Sequence, residues 1–117
     1  MISRSNRFHG YGSLKYTYNK GETVRGPLCS TKYVFNPRRT KYRLAVVVNK
    51  KVNKSAVVRN KIRRQIYEVV RQVSDKIKNP CDIVITVFSD QILEISHNEL
   101  DAMIKAQLYQ AKIILKT

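Results

Sequence analysis

Two strongly apolar segments that flank a long amphipathic one limit the folds open to this chain more than any other feature. The runs at residues 42–49 (YRLAVVVN) and 82–88 (DIVITVF) have the length of strands, and their near-continuous apolar character predicts burial on both faces. Residues 55–77, between them, carry apolar side chains at helical spacing. This order predicts a βαβ unit over residues 43–88 and a sheet that is at least partly parallel.

Each of the two long predicted helices has one apolar stripe and a recognisable end. The helix over residues 55–77 is expected to stop at Asn79-Pro80, because proline disfavours helical backbone in the residue before it. The final helix is expected to begin at Ser96, with Glu99 three residues later completing a capping box. The stripes are Val58, Ile62, Ile66, Val69, Val73 and Ile77 in the first helix, and Leu100, Met103, Ile104, Leu108, Ala111 and Leu115 in the second.

The segment before these elements predicts a strand and a turn. Residues 28–36 (LCSTKYVFN) alternate so that two aromatic side chains share one strand face, while a lysine and a valine share the other. The first pair is Tyr33 and Phe35, and the second is Lys32 and Val34. The turn-forming sequence NPRRT then leads into residues 42–49, which predicts a hairpin of these two strands.

The N-terminal segment completes the predicted domain. Residues 13–20 (SLKYTYNK) are consistent with a short helix that Gly21 ends. Residues 1–12 are expected to form a flexible arm, and a further short strand near residues 22–26 is left open. Together the elements predict one α+β domain over residues 1–117, an αβββαβα-like sandwich with a mixed central sheet, helices packed on it and a βαβ crossover.

Positive charge is concentrated in the first half of the chain. The sequence has 23 Lys and Arg residues against 8 Asp and Glu, a formal net charge of +15. Residues 1–67 contain 17 of the basic residues and a single acid, Glu22, whereas residues 68–117 contain 6 basic and 7 acidic residues. Such segregation within one domain indicates a face that binds a polyanion. Nucleic acid is the expected polyanion, and an anionic membrane surface is the alternative.

Several functional classes receive no support from the sequence. The longest apolar runs are too short to span a bilayer, and the first residues lack the apolar core of a signal peptide, so we expect a cytoplasmic protein with no membrane partner. Cys29 and Cys81 are expected to be reduced thiols. With the distant His9 and His97 they make no metal-ligand pattern, and the scattered carboxylates predict no nuclease centre.

The predicted helix over residues 55–77 carries cations at its unfavourable end. A helix N-terminus has a partial positive charge, so each cation there costs about 0.3–1 kcal/mol unless an anion lies near. No Glu–Lys pair at four-residue spacing neutralises these cations, which we call the basic ridge: Lys50, Lys51, Lys54, Arg59, Lys61, Arg63 and Arg64. We therefore predict that an external phosphate backbone docks on the ridge. Asn60, Arg64 and Tyr67 are predicted to point away from the apolar stripe.

The sequence NKKVNKSAVVRNKIRRQIYEVVR at residues 49–71 resembles the signature of the bacterial ribonuclease P protein subunit. In that family a Lys-Lys strand end leads through a short loop into a helix with Arg-Asn-x-x-(Lys/Arg)-Arg. The matching residues are Lys50, Lys51, Arg59, Asn60, Arg63 and Arg64. The order of elements and the chain length also resemble the family, although the loop NKSA is one residue longer than the common Gly-Asn-Ala.

The resemblance implies a function and two binding surfaces. In the family a large catalytic RNA with bound Mg²⁺ removes the 5′ leader of precursor tRNA, and the protein supplies no catalytic residue, holds no cofactor alone and requires no protein partner. The surface for the ribonuclease P RNA would comprise Lys50, Lys51, Lys54, Arg59, Asn60, Lys61, Arg63, Arg64 and Tyr67. A cleft between the first helix and the sheet would bind the leader of the precursor tRNA through Leu14, Lys15, Tyr18, Lys20, Lys32, Tyr33, Phe35 and Arg43. The family's crossover is left-handed, which is the rare hand.

Two other functions remain open at this point. A ribosomal or other structured-RNA-binding protein would show the same charge distribution. A helix-turn-helix DNA-binding protein would need a short helix directly before the basic one, where residues 42–49 predict a strand. Ordinary core packing is the alternative role for Leu14, Tyr33 and Phe35.

Overall fold

A four-stranded mixed sheet with two helices on one face forms the centre of the fold. The computed structural model describes Thr17 and residues 20–36, 41–77 and 79–114. The strands are β1 (Glu22–Arg25), β2 (Cys29–Phe35), β3 (Arg43–Val47) and β4 (Cys81–Val87), and the helices are α1 (Ala56–Gln72) and α2 (His97–Gln110). Short 3₁₀ helices follow α1 at Ser74–Lys76 and β4 at Asp90–Leu93. The α+β class, the βαβ unit and the strand left open near residues 22–26 are confirmed.

The predicted hairpin between residues 28–36 and 42–49 is wrong, because β4 lies between β2 and β3. The strand order is β1-β2-β4-β3, with β2 antiparallel and β3 parallel to β4. Six of the seven β4 residues are buried, and a strand buried on both faces satisfies its backbone groups best with a neighbour on each side. The hairpin partner of β2 is instead β1.

Both helices pack on the same sheet face and bury most of their predicted stripes there. Ile62, Ile66 and Val69 of α1 share one core with the α2 residues Leu100, Ile104 and Leu108 and with the sheet residues Leu44, Val46, Ile83 and Ile85. Val58, Ile77 and Met103 are only partly buried against this core. Leu115 lies outside the described residues, as does most of the helix predicted over residues 13–20, of which Thr17 and Lys20 are helical.

Helix α1 ends before the predicted stop at Asn79-Pro80. Its last residue is Gln72, and the Ser74 hydroxyl donates to the Val70 carbonyl at 3.2 Å. The same hydroxyl lies 2.5 Å from the Tyr42 hydroxyl of the segment before β3. Side-chain hydrogen bonds of serine compete with the helical pattern, and the chain passes into the 3₁₀ turn at Ser74–Lys76 here.

Both ends of α2 have defined caps. The Ser96 hydroxyl accepts the Glu99 N–H at 3.1 Å, which confirms the predicted start. At the other end the Ile113 N–H donates to the Leu108 carbonyl and the Lys112 N–H to the Tyr109 carbonyl, each at 3.0 Å, which is a Schellman motif. Lys112 has a φ of 61°, in the left-handed region that costs a residue with a side chain about 1–2 kcal/mol.

A buried glutamine links α2 to the sheet. The Thr31 hydroxyl donates to Gln107 Oε1 at 2.7 Å, and Gln107 Nε2 donates to the Cys29 carbonyl at 3.0 Å. A Cβ at position 26 would collide with Gln107 Nε2, so a side chain there would displace the Gln107 amide from these hydrogen bonds. These hydrogen bonds satisfy a polar side chain that is 5% exposed and fix the position of α2 over β2.

The two cysteines are free and buried. Burial raises the pKa of the Cys29 thiol to about 11 and that of Cys81 to about 12. Both are therefore protonated side chains of the core at neutral pH, as predicted for structural thiols. In the part of the chain that the structure describes, no helix is long and apolar enough to cross a membrane.

Replacing Gln107 by alanine is expected to lower the free energy of unfolding by about 2–3 kcal/mol, because the Thr31 hydroxyl and the Cys29 carbonyl lose their partner in a buried site. Gln110→Ala, on the exposed side of the same helix, is the matched control and should change it by less than about 0.5 kcal/mol. Urea denaturation measures both. Equal small effects would mean that water replaces the Gln107 hydrogen bonds.

Candidate nucleic-acid interface

The structure gathers the basic ridge at the loop after β3 and the first turns of α1. Five of its seven cations, Lys50, Lys51, Lys54, Lys61 and Arg64, are exposed, and Arg59 and Arg63 are half-buried. Asn60 is also exposed on this surface. The ridge is therefore presented to solvent as the sequence predicts.

Side-chain caps hold the loop between β3 and α1 in one conformation. The Asn49 side chain accepts the Lys51 N–H at 3.0 Å, and the Asn53 side chain accepts the Ser55 N–H at 2.9 Å. The Ser55 hydroxyl then accepts the Val58 N–H at 3.3 Å as the N-cap of α1. These three residues were not predicted to have this role, although Asn-x-Ser before an apolar helix is a recognisable turn and cap pattern.

Two arginines of α1 bind the backbone of this loop. Arg59 NH1 donates to the carbonyls of Asn53 at 2.9 Å and Lys54 at 3.0 Å. Arg63 NH1 donates to the Val48 carbonyl at 3.5 Å, and its NH2 donates to the Asn60 side chain. An arginine has five N–H donors, so Arg59 can hold the loop and still bind a phosphate.

Within the described residues, no acidic side chain forms an ion pair with the ridge. The first turn of α1 contains no acid, and the ion pairs seen are Arg43–Asp82, Arg71–Glu68 and Lys105–Asp101. Glu68 is the first acid along α1, and its hydrogen bonds from Arg71 lower the pKa of that carboxyl. The ridge thus keeps its full charge for an external anion.

The ridge continues into a groove between α1 and the start of α2. Lys61, Arg64, Gln65, Glu68 and His97 line this groove, which has a volume of about 480 Å³. His97 was given no predicted role in RNA binding. It lies 33 residues from Arg64, and the packing of α2 on α1 brings it near. Its described cations, Lys61 and Arg64, belong to the ridge, so the groove extends the ridge surface towards α2 without adding a further lysine or arginine.

Tyr67 does not point away from the apolar stripe, so that prediction is wrong. Its ring packs partly buried against the core, and its hydroxyl accepts the Val46 N–H of β3 at 3.4 Å. The phenol is long enough to reach the sheet from the flank of the helix. Tyr67 therefore positions α1 on β3, and it is not exposed beside Arg64.

The residues predicted to line one cleft lie on opposite faces of the sheet. Tyr33 pairs with Ile83 and faces the helices, whereas Lys32 pairs with Val84 and faces the other way. Phe35 shares the face of Tyr33, and both line a pocket with Lys20. Leu14, Lys15 and Tyr18 lie outside the described residues. A single cleft cannot contain the whole predicted set.

Arg43 lies on the same sheet face as Lys32, but it forms an internal ion pair, which corrects its predicted role in binding the leader. Its Nε and NH2 atoms donate to the two carboxylate oxygens of Asp82 at 2.8 and 2.7 Å. The two side chains are 6% and 3% exposed. A guanidinium held in this way joins β3 to β4 and does not face solvent.

The sheet face that bears Lys32 is not covered by either described helix, and we call it the open face. Among its residues in β2, β3 and β4, five are partly accessible, namely Lys32, Val34, Ala45, Val47 and Thr86, and four are buried, namely Ser30, Arg43, Asp82 and Val84. Gly21, which follows the helical residues Thr17 and Lys20, lies against this face, because a Cβ there would be 3.1 Å from Lys32 Cγ. The predicted first helix therefore ends beside Lys32.

No group of three or more His, Cys, Asp or Glu side chains suited to a metal ion occurs among the described residues.

Comparison with known proteins gives consistent matches over most of the chain. The family model described as Ribonuclease P matches residues 2–112. The chain is 33% identical over 114 residues to the ribonuclease P protein component of Pseudanabaena sp. strain PCC 6903, covering 97% of each chain. Its fold is similar to that of the RNase P protein of Staphylococcus aureus, with a TM-score of 0.83, 24% identity and coverage of 94% and 98%. The RNase P protein from Thermotoga maritima follows at a TM-score of 0.79, 20% identity and coverage of 89% and 96%.

Arg59→Ala is expected to lower the free energy of unfolding by about 1–2 kcal/mol, because two backbone carbonyls lose a charged donor. Arg64→Ala, on the same helix with an exposed side chain, should change it by less than about 0.5 kcal/mol. Urea denaturation measures the difference, and faster amide exchange at residues 53–55 should accompany the first variant only. Equal stability of the two variants would show that Arg59 does not hold the loop.

Proposed function

This chain belongs to the ribonuclease P protein family, and from that membership we propose how its surfaces act. Its role is that of the protein subunit of ribonuclease P in tRNA processing, with ribonuclease P RNA as its partner. We propose that the RNA subunit, with Mg²⁺, carries the cleavage reaction in the cytoplasm. The protein then contributes binding and placement of RNA.

The basic ridge is the proposed contact surface for the ribonuclease P RNA. The observation that carries this proposal is the set of five exposed ridge cations without an acidic partner in the described residues. Phosphates that dock there remove the unfavourable interaction of these cations with the N-terminus of α1. Contacts of this kind release counterions, so binding should weaken steeply as salt rises.

The loop geometry supports the same proposal. Because Arg59 and Arg63 hold the loop backbone, Lys50, Lys51 and Lys54 project from a segment that is ordered before RNA arrives. RNA binding then does not have to offset the conformational-entropy cost of ordering that loop. A strand, β3, directly precedes the loop, which also argues against the helix-turn-helix alternative.

The leader of the precursor tRNA is proposed to bind on the open face. This face provides Lys32 and partly accessible apolar side chains, and Gly21, which follows the predicted first helix, lies beside it. A single strand needs a cation for its backbone and flat or apolar surface for its bases, without hydrogen bonds that read sequence. Such a surface suits leaders that differ from one tRNA to the next.

Lys61→Ala combined with Arg64→Ala is expected to weaken assembly with the ribonuclease P RNA and to reduce its salt dependence. Each phosphate contact contributes up to about one unit of slope in a plot of log affinity against log salt, so the slope should fall by about 1–2 units. Filter binding between about 50 and 200 mM salt, the range over which phosphate contacts weaken strongly, measures the slope.

The matched control removes the same charge elsewhere. Lys76→Ala combined with Lys105→Ala leaves the ridge intact and should leave the slope unchanged. If both double variants behave alike, the effect reflects total charge, and the ridge is not the interface.

Lys32→Ala is expected to weaken binding of precursor tRNA to the reconstituted enzyme by about 1 kcal/mol, roughly fivefold, because one charged contact to the leader is lost. Binding of mature tRNA, which has no leader, should not change. Lys76→Ala serves as the charge-matched control for both ligands. A loss that is the same for precursor and mature tRNA would exclude a leader contact at Lys32.

A further inference from the structure

We propose that a pocket at the C-terminal end of α2 binds one unpaired nucleotide of RNA, its base and its phosphate together. The pocket has a volume of about 470 Å³ and lies where α2 ends over the β1–β2 hairpin. Its chemically distinctive side chains are Lys20, Glu22, Tyr33, Phe35 and Lys112. The volume falls within the usual range for small-ligand sites. Tyr33 and Phe35 place it on the helix side of the sheet. Val34 of the open face also lines it, whereas no residue of the ridge does.

An aromatic pair provides the surface for the base. The rings of Tyr33 and Phe35 meet edge to face, with centroids 5.8 Å apart and planes at 77°. Phe35 is 44% exposed, which is unusual for a phenylalanine in a strand that is buried at its other end. Exposed aromatic rings stack on any nucleobase.

Glu22 provides an acceptor beside these rings. The Tyr33 hydroxyl donates to Glu22 Oε2 at 3.0 Å, and burial together with Glu22 raises the pKa of Tyr33, so the hydroxyl keeps its proton. The second carboxylate oxygen of Glu22 can accept the amino group of a stacked base, the pairing that carboxylates make with cytosine.

Two lysines give the pocket a net positive charge. Lys20 and Lys112 line it, both are exposed, and Glu22 is the acid that opposes them among its described lining residues. Lys112 occupies the position directly after the α2 C-cap Ala111, where glycine is usual, with a φ of 61°. The fold thus accepts backbone strain to present a cation at this pocket, and such strain is concentrated at functional sites.

The isolated full-length chain can be titrated with cytidine 5′-monophosphate and followed by NMR. We expect saturable shifts at the Phe35 ring and the Lys112 amide, and at least about fivefold weaker binding for Phe35→Ala, the lower end of the stacking effect. Lys112→Gly should weaken binding without lowering the melting temperature, because it relieves strain. Glu22→Gln should weaken cytidine binding more than uridine binding.

Three outcomes would overturn the proposal. The first is no saturable shift at Phe35 and Lys112, and the second is unchanged affinity for Phe35→Ala. The third is inorganic phosphate shifting the pocket as strongly as the nucleotide, which would make it an anion site only. Arg64→Ala is the control: it should leave nucleotide binding intact while it weakens assembly with the ribonuclease P RNA, so this proposal and the ridge proposal can fail separately.

A photoreactive benzoyl-phenylalanine at position 35 identifies the source of the nucleotide in the reconstituted enzyme with precursor tRNA. A cross-link to the leader, to the tRNA body or to the ribonuclease P RNA would each support the pocket and name its ligand. The absence of any RNA cross-link, with an active enzyme, would overturn it.

Discussion

The burial of β4 on both faces determines where everything else in this fold is placed. A strand with a neighbour on each side must separate β2 from β3, and its parallel pairing with β3 requires a crossover that carries α1 onto the sheet. Because β3 and β4 are parallel, the loop before α1 and the segment after β4 leave the sheet at the same end, where both strands have their C-termini. Their contact is direct, because Asn53 Nδ2 donates to Asp90 Oδ2 at 3.1 Å. The ridge is thus fixed to the rigid part of the molecule.

Arginine has two different tasks on this surface. Arg59 and Arg63 use N–H groups on the carbonyls of their own loop, whereas Arg64 and the ridge lysines point into solvent. The first group orders the backbone, and the second supplies charge that the described residues do not neutralise. Because a guanidinium has more donors than one partner can use, the same residue type can take part in both tasks.

The sequence predicted what depends on local pattern. The α1 stripe and the Ser96 cap follow from spacing alone, and exposed cations at the start of α1 follow from the absence of nearby acids. Strand pairing failed, because the turn NPRRT favours a hairpin locally and only the burial of β4 excludes it. The role of Arg43 was predicted wrongly because its partner Asp82 is 39 residues away in the sequence. The role of Gln107 was missed because its partner Thr31 is 76 residues away. The predicted direction of the Tyr67 side chain was wrong because a helical wheel does not show how far a long side chain reaches.

The position of β4 also has a consequence during synthesis. β2 ends at Phe35, and the strand that covers its second edge begins at Cys81. At the usual rate of translation, those intervening residues take roughly 2–10 s to emerge. Throughout that interval the nascent chain can close only the β1–β2 ribbon, which is marginal alone. A long-range closure of this kind slows folding and leaves a sheet edge open to intermolecular pairing until the crossover is complete.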